Sequence, residues 1–179
     1  RAVEASRFTG KSQEHLDLMA LQGAPAVRSV LAGIGKPADA SPKAWEEWGG
    51  KLYGHLAGSG AASAAIAVDG MGGAVADADA AANAAFGITL AAYRFDRYRT
   101  KEKPDQKPSL TAITILVEDP AAATAAFGPM QEVAAGVVFA RDLVSEPGNV
   151  IYPETLAKRC TELTAQGVEV EVLDEAQLE

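Results

Sequence analysis

A metal centre needs His, Cys, Asp or Glu gathered at ligand spacing. This sequence offers two histidines, His15 and His55, far apart along the chain, and no HxxxH, CxxC or HExxH pattern. Two acidic pairs, Asp77 with Asp79 and Glu118 with Asp119, could touch a hard cation. They read as solvated helix and strand ends. Cys160, the only cysteine, would need a neighbouring base and a depressed pKa to act as a nucleophile. It sits in the helical pattern "AKRCTEL" and reads as structural. No GxSxG elbow occurs. Two glycine-rich turns, "GIGK" (33–36) and "DGMGG" (69–73), follow predicted strands and could cradle a phosphate where a helix N-terminus points at it. Neither matches GxxxxGKS/T or GxGxxG, and Gly33 and Gly35 also serve a sharp turn out of a strand. Arg94, Arg97, Arg99, Lys101, Lys103 and Lys107 form a basic run interleaved with Tyr93, Phe95 and Tyr98, the residue types of a nucleic-acid patch. Asp96, Glu102 and Asp105 dilute it, and it reads as a solvated edge and loop. The residues alone therefore show no catalytic constellation: no catalytic residue and no metal ligand is assigned.

Bulk properties narrow the class. The chain has 179 residues, enough for one domain and the start of another. Its net charge of −8 argues against general binding to nucleic acid or anionic membranes. A single cysteine permits no intrachain disulfide and fits a reducing compartment, so the expected location is cytoplasmic. No run of eighteen apolar residues is present to span a membrane. The chain opens on Arg1 without a signal-peptide pattern, and both ends are expected to be cuts.

The elements that would position any site follow from periodicity. Strands are predicted at 15–20, 27–36, 63–70 and 110–119. A helix is predicted over 41–56, with Ser41 as N-cap, Pro42 in its first turn, and Trp45, Trp48, Leu52 and Leu56 on one face. An alanine-rich helix is predicted over 77–93, with Phe86, Leu90 and Tyr93 as its stripe. Residues 93–100 alternate and read as a strand or a helix end. Strands separated by helices imply an α/β fold with a mixed, largely parallel sheet flanked by helices. From Pro120 a helical pattern runs to 145, roughly 40 Å at about 1.5 Å per residue. "EPGNVIYP" breaks it, because Pro147 disfavours helix at Glu146 and Gly148 and Asn149 tolerate turns. A helix over 153–167, capped by Gly167, and a strand over 168–174 ("VEVEVLD") come next.

Several stretches are recognisable together. "ARDLVSEPGNVIYPETLAKR" (140–159) resembles the entrance to the catalytic domain of the leucyl (cytosol) aminopeptidase family, where "ARDLVNEPxN" leads into "PExLA". "AAYRFDRYRTK" (91–101) is similar to that family's "AYRFDxYK". "RFTGKSQEHLDL" (7–18) and "VLAGIGK" (30–36) are similar to its N-terminal strands in the same order. The resemblance covers nearly the whole chain. Ser145 and Gly148 are mild departures at positions not expected to touch substrate.

The resemblance implies a macro-domain-like N-terminal α/β domain at 1–119. An interdomain helix at 120–147 and the beginning of a catalytic domain at 148–179 would follow. Glu146, Pro147, Gly148, Asn149 and Pro153 would form the hinge between them. The family's members are exopeptidases that remove N-terminal residues from peptides with two divalent ions, Zn or Mn. The "NTDAEGR" motif that helps bind those ions is absent here, so the segment is expected to bind no metal itself. The implied partners are its own catalytic domain, peptide substrates and further copies in a hexamer; no membrane is implied. Two other roles stay open: a nucleotide module that takes ADP-ribose through 33–36 and 69–73, and a DNA-binding or architectural role through 94–107.

Overall fold

The computed structural model describes residues 2–19, 23, 27–68, 70 and 73–178. Ala20, at the end of the first predicted strand, and Asp69, Met71 and Gly72 of the second glycine-rich turn lie outside the described residues. The chain divides into two compact units, Arg1–Gly136 and Val137–Glu179.

The first unit begins with α1 (Ala2–Ala5), β1 (His15–Met19) and β2 (Arg28–Ala32). A 3-10 turn at Pro37–Asp39 leads to α2 (Pro42–Ala57), β3 (Ser63–Ala67), α3 (Asp77–Ala92) and β4 (Ala112–Leu116). The N-terminal part of α4 (Pro120–Ser145) completes it. β1 and β2 pair antiparallel, from His15 opposite Ala32 to Met19 opposite Arg28. β3 and β4 pair parallel, from Ser63 opposite Ala112 to Ala67 opposite Leu116. In place of the expected mixed, largely parallel sheet, the described residues form two two-stranded sheets, one antiparallel and one parallel. The connections explain the senses. A short link returns β1 onto β2 antiparallel, whereas α3 provides the crossover that a parallel β3–β4 pair needs. Residues 93–100 are neither strand nor helix; α3 stops at Ala92, and Tyr93 turns to an extended φ/ψ of −56°/132°.

α2 forms where the sequence predicts it. Ser41 has an extended backbone (φ −75°, ψ 166°), and its hydroxyl accepts the Ala44 N–H at 3.2 Å. Pro42 occupies the first turn, where no N–H is needed. The stripe Trp45, Trp48, Leu52 and Leu56 is buried, and the two indoles meet edge to face at 5.4 Å. These side chains join Ile34, Ile66, the wholly buried Val68, Ile88 and Leu110 in one core.

The packing of α3 departs from expectation. Its large residues Phe86 and Leu90 are only half buried. Its buried side is the small one: Ala80, Ala81, Ala84, Gly87 and Ile88. Close approach to α2 is the reason. A Cβ on Gly49 would lie 2.2 Å from the Ala84 carbonyl oxygen, and one on Gly87 would lie 1.8 Å from the Glu46 carbonyl oxygen. The two backbones therefore touch, and bulk is excluded from the seam.

α4 spans 26 residues, about 39 Å at the α-helical rise. It starts on an N-cap, the Asp119 carboxylate accepting the Ala122 N–H at 2.9 Å. It continues through Pro129, which supplies no N–H to the Ala125 carbonyl.

The second unit holds the C-terminal part of α4, α5 (Pro153–Cys160), a 3-10 helix (Thr161–Gln166) and α6 (Glu175–Leu178). Pro147 ends α4, and its carbonyl then accepts the N–H groups of Val150 (2.8 Å) and Ile151 (3.0 Å). The helix predicted over 153–167 is an α-helix to Cys160 and a tighter 3-10 helix beyond it. Gly167 closes it with φ +83°, as a C-terminal cap requires. The strand predicted over 168–174 does not form. Its alternation is present, but no described strand offers the ladder that would hold it extended. Within this unit Arg159 covers the Phe139 ring at 5.5 Å and pairs with Glu162 at 2.9 Å.

The α2–α3 seam yields a contrast between two glycines. Gly87→Ala forces the helices apart and should cost roughly 1–3 kcal/mol, as overpacking does. Gly54→Ala, in an exposed helical position with nothing near its Cβ, should stabilise by roughly 0.5–1 kcal/mol. Urea unfolding midpoints of both variants check the pair.

Candidate functional site

The fold brings together what the sequence keeps apart. His15 and His55 stack face to face, with ring centroids 4.5 Å apart and planes within 4°. His55 Nε2 lies 3.1 Å from an Asp17 carboxylate oxygen. Arg28 Nε donates to the other Asp17 oxygen at 2.8 Å. The period-two geometry of β1 sets His15 and Asp17 on one face. Antiparallel register places Arg28, opposite Met19, on the diagonal from Asp17. α2 delivers His55 from its last turn.

The electrostatics follow from this geometry. Burial pushes the His15 imidazole below its usual range, and the neighbouring His55 adds to that; Asp17 works in the opposite direction. For Asp17, burial alone would raise the carboxyl. The hydrogen bonds from Arg28 and His55 outweigh it and hold the group below its usual range. Arg28 Nη2 also lies 3.3 Å from His55 Nε2. That nitrogen either donates to Asp17 or accepts from Arg28, so the tautomer of His55 selects its partner. The cluster is a charge pair, Asp17 with Arg28, beside two stacked imidazoles. It does not fit a metal. Asp17 is committed to Arg28, and among the described residues no group of three or more His, Cys, Asp or Glu is placed to hold one.

The other sequence-predicted candidates stand apart from this cluster. In "GIGK", the Gly33 N–H bonds to the Glu14 carbonyl at 2.8 Å and the Gly35 N–H to the Gly10 carbonyl at 3.0 Å. Those amides are spent within the protein and do not face a phosphate. In "DGMGG", the Gly70 N–H bonds to Asp77 Oδ2 at 2.9 Å, which engages one candidate carboxylate. Asp119 is the α4 cap. In the basic run, Arg94 pairs with Glu102 and Asp96, Arg99 with Glu102, and Arg97 lies over the Phe95 ring. Arg94 and Arg99 are thus neutralised locally, and neither the nucleotide-binding nor the DNA-binding reading is supported. Cys160 is half-buried at the end of α5. Glu146, Pro147, Gly148 and Asn149 lie in the turn between α4 and α5, and Pro153 opens α5; Thr155, whose hydroxyl accepts the Tyr152 N–H at 2.9 Å, steadies the junction. Sequence reading missed the histidine cluster. The His15–Asp17 alternation was a local signal for half of it, but nothing local announced that α2 returns His55 to β1.

Comparison with known proteins places the chain. The description "Cytosol aminopeptidase family, N-terminal domain" matches residues 1–102, more than half of it. The chain belongs to the cytosol aminopeptidase family. A probable cytosol aminopeptidase of Rhodopseudomonas palustris (strain BisA53) is 45% identical over 174 residues, 97% of this chain and 34% of that relative. One from Caulobacter vibrioides is 40% identical over 178 residues, 99% of this chain and 35% of the relative. Among solved structures, a mutant tomato leucine aminopeptidase superposes with a TM-score of 0.80 at 26% identity, covering 99% of this chain and 35% of that one. The bottromycin maturation enzyme BotP in complex with Mn shares the fold, with a TM-score of 0.79 at 21% identity. This member of the family thus spans about a third of the length of the curated relatives it matches. No helix among its described residues is long and apolar enough to cross a membrane.

The histidine pair has a measurable consequence. A depressed imidazole pKa means that the unfolded chain binds the proton more readily than the folded one. The His15 contribution to stability is therefore fully present above about pH 6.5, the ordinary imidazole range, and is lost as pH falls through the folded value. NMR titration should place the His15 midpoint below that of a free imidazole. Asp17→Asn should lower it further, because the carboxylate is the charge that favours imidazolium. A midpoint raised by Asp17→Asn would contradict this arrangement.

Proposed function

We propose that this chain is the N-terminal region of a dinuclear metal-dependent leucyl aminopeptidase that releases N-terminal amino acids from peptides. The observation that carries the reading is the match of nearly the full chain, at 40–45% identity, to about a third of each cytosol aminopeptidase. In this reading the first unit is a macro-domain-like structural and assembly module, and α4 links it to a catalytic domain. The division is 1–119, 120–147 and 148–179, with Glu146, Pro147, Gly148, Asn149 and Pro153 as the hinge. Two divalent ions, Zn or Mn, belong to the catalytic domain, where they would activate water and polarise the scissile carbonyl. The Mn in the BotP complex favours Mn as the first ion to try. The 179 residues are a positioning part and supply no catalytic or metal-binding side chain. The working assembly is a cytoplasmic homo-oligomer, a hexamer, acting on peptides.

Two preparations test this. The full-length protein with added Mn or Zn should hydrolyse leucine amide and lose that activity on chelation. The 179-residue chain under the same conditions should show none. Metal-dependent hydrolysis by the 179-residue chain, or no hydrolysis by the full-length protein with either ion, would overturn the proposal.

A further inference from the structure

β4 forms one margin of its sheet. Among the described residues its ladder runs only to β3. The Ala112 N–H donates to the Ala62 carbonyl at 3.2 Å, and the Leu116 carbonyl accepts the Val68 N–H at 3.0 Å. Backbone groups alternate sides along a strand, so Ile113, Ile115 and Val117 turn theirs to the other edge. No described strand meets that edge. Proteins blunt a bare edge with lysine, proline or an inward-pointing charge. The stretch "SLTAITILV", from Ser109 to Val117, contains none of these.

The edge also has a groove beside it. Two hollows of about 250 and 270 Å³ lie along β4 and share Ile113. α3 walls both, with Ala85 in one and Thr89 in the other, and Phe127 of α4 closes the first. No charged side chain lines either hollow. On the opposite face of the strand, Thr114 and Leu116 are exposed. A small ligand or a helix laid in the groove would leave the N–H and C=O groups of Ile113 and Ile115 unpaired. An extended backbone pairs with them in full.

We infer that this edge is an interface between two copies of the chain, in which β4 pairs antiparallel with β4 of a second copy about a two-fold axis at Thr114. The edge is complementary to itself, as a two-fold contact requires. Ile113 of one copy stands opposite Ile115 of the other as a hydrogen-bonded pair, and the axis repeats that pair. Thr114 meets its own counterpart at the closer, non-hydrogen-bonded position. The isoleucines stay on the groove side and the threonines on the exposed side. Charge selects the same direction. Antiparallel pairing brings the acidic exit of one strand, Glu118 and Asp119, towards the lead-in of the other, which carries Lys107. A parallel neighbour would set like ends side by side. This inference rests on β4 and its groove, and it stands whether or not the whole protein is a peptidase.

Cysteine cross-linking of the full-length protein tests it, with Cys160→Ser removing the cysteine of this chain. Across a non-hydrogen-bonded antiparallel pair the Cα atoms lie about 4.5 Å apart, within disulfide reach. Under mild oxidation Thr114→Cys should link two copies through position 114, mapped by mass spectrometry. The control is Ala65→Cys, exposed on the neighbouring strand opposite Thr114. Thr114→Cys should react roughly 100-fold faster, because a paired thiol meets its partner at an effective concentration of about millimolar. Equal rates overturn the inference. Amide exchange gives a second reading. Thr114→Lys sets two like charges face to face, and the Ile113 and Ile115 amides should then exchange roughly 100-fold faster than in the parent protein. Unchanged protection of those amides in Thr114→Lys also overturns the inference, because a strand of the same polypeptide would then hold the edge.

Discussion

The contact of α2 with α3 is backbone against backbone, and much of the first unit depends on it. Gly49 and Gly87 each sit where a single added carbon would strike a carbonyl of the other helix. Ala80, Ala81 and Ala84 keep the rest of the seam narrow. With α2 held this close to α3, the adjoining stripe of Trp45, Trp48, Leu52 and Leu56 joins Ile66 and Val68 in the core. A core poor in large aliphatic side chains gains density from close approach where it cannot gain it from bulk. The abundant alanine is thus a packing device in α3.

The histidine cluster is a downstream product of the same constraint. His55 lies at the end of α2, so the placement of that helix decides whether the imidazole reaches His15 and Asp17. Arg28 locks the carboxylate, and the pair of rings closes over the end of the first sheet. The cluster orders the junction of a sheet with a helix; its carboxylate is committed to Arg28, and it offers no nucleophile. Chemistry on peptides belongs, in the proposed reading, to other parts of the longer protein. The cleft lined by β2, β3 and α2 belongs to the same frame.

The second unit is sparser. Val144, Leu156, Val168, Val172, Leu173 and Leu178 are exposed. Its secondary structure is held by local devices: the Pro147 carbonyl, the Thr155 hydroxyl and the Gly167 cap. Such devices define helices without a core, and they cannot make a strand, which depends on a partner for its hydrogen bonds.

The sequence by itself determined the elements whose signals are local. Ser41 and Pro42 start α2, the three- and four-residue spacing of Trp45, Trp48, Leu52 and Leu56 picks its buried face, and Pro147 and Gly167 end helices. The "ARDLVSEPGNVIYPETLAKR" segment also carried the family. Tertiary structure decided the rest. The buried face of α3 was set by which surface could come nearest to α2, and this favoured Ala84 and Gly87 over Phe86 and Leu90. The glycine-rich turn at 33–36 lost its anion-binding potential because Gly10 and Glu14 take its amides. Residues 168–174 kept a strand's alternation without becoming one. His15 and His55 became neighbours only through the return of α2. In each case the outcome depended on a distant partner, and periodicity reports which face is apolar without naming what that face will meet.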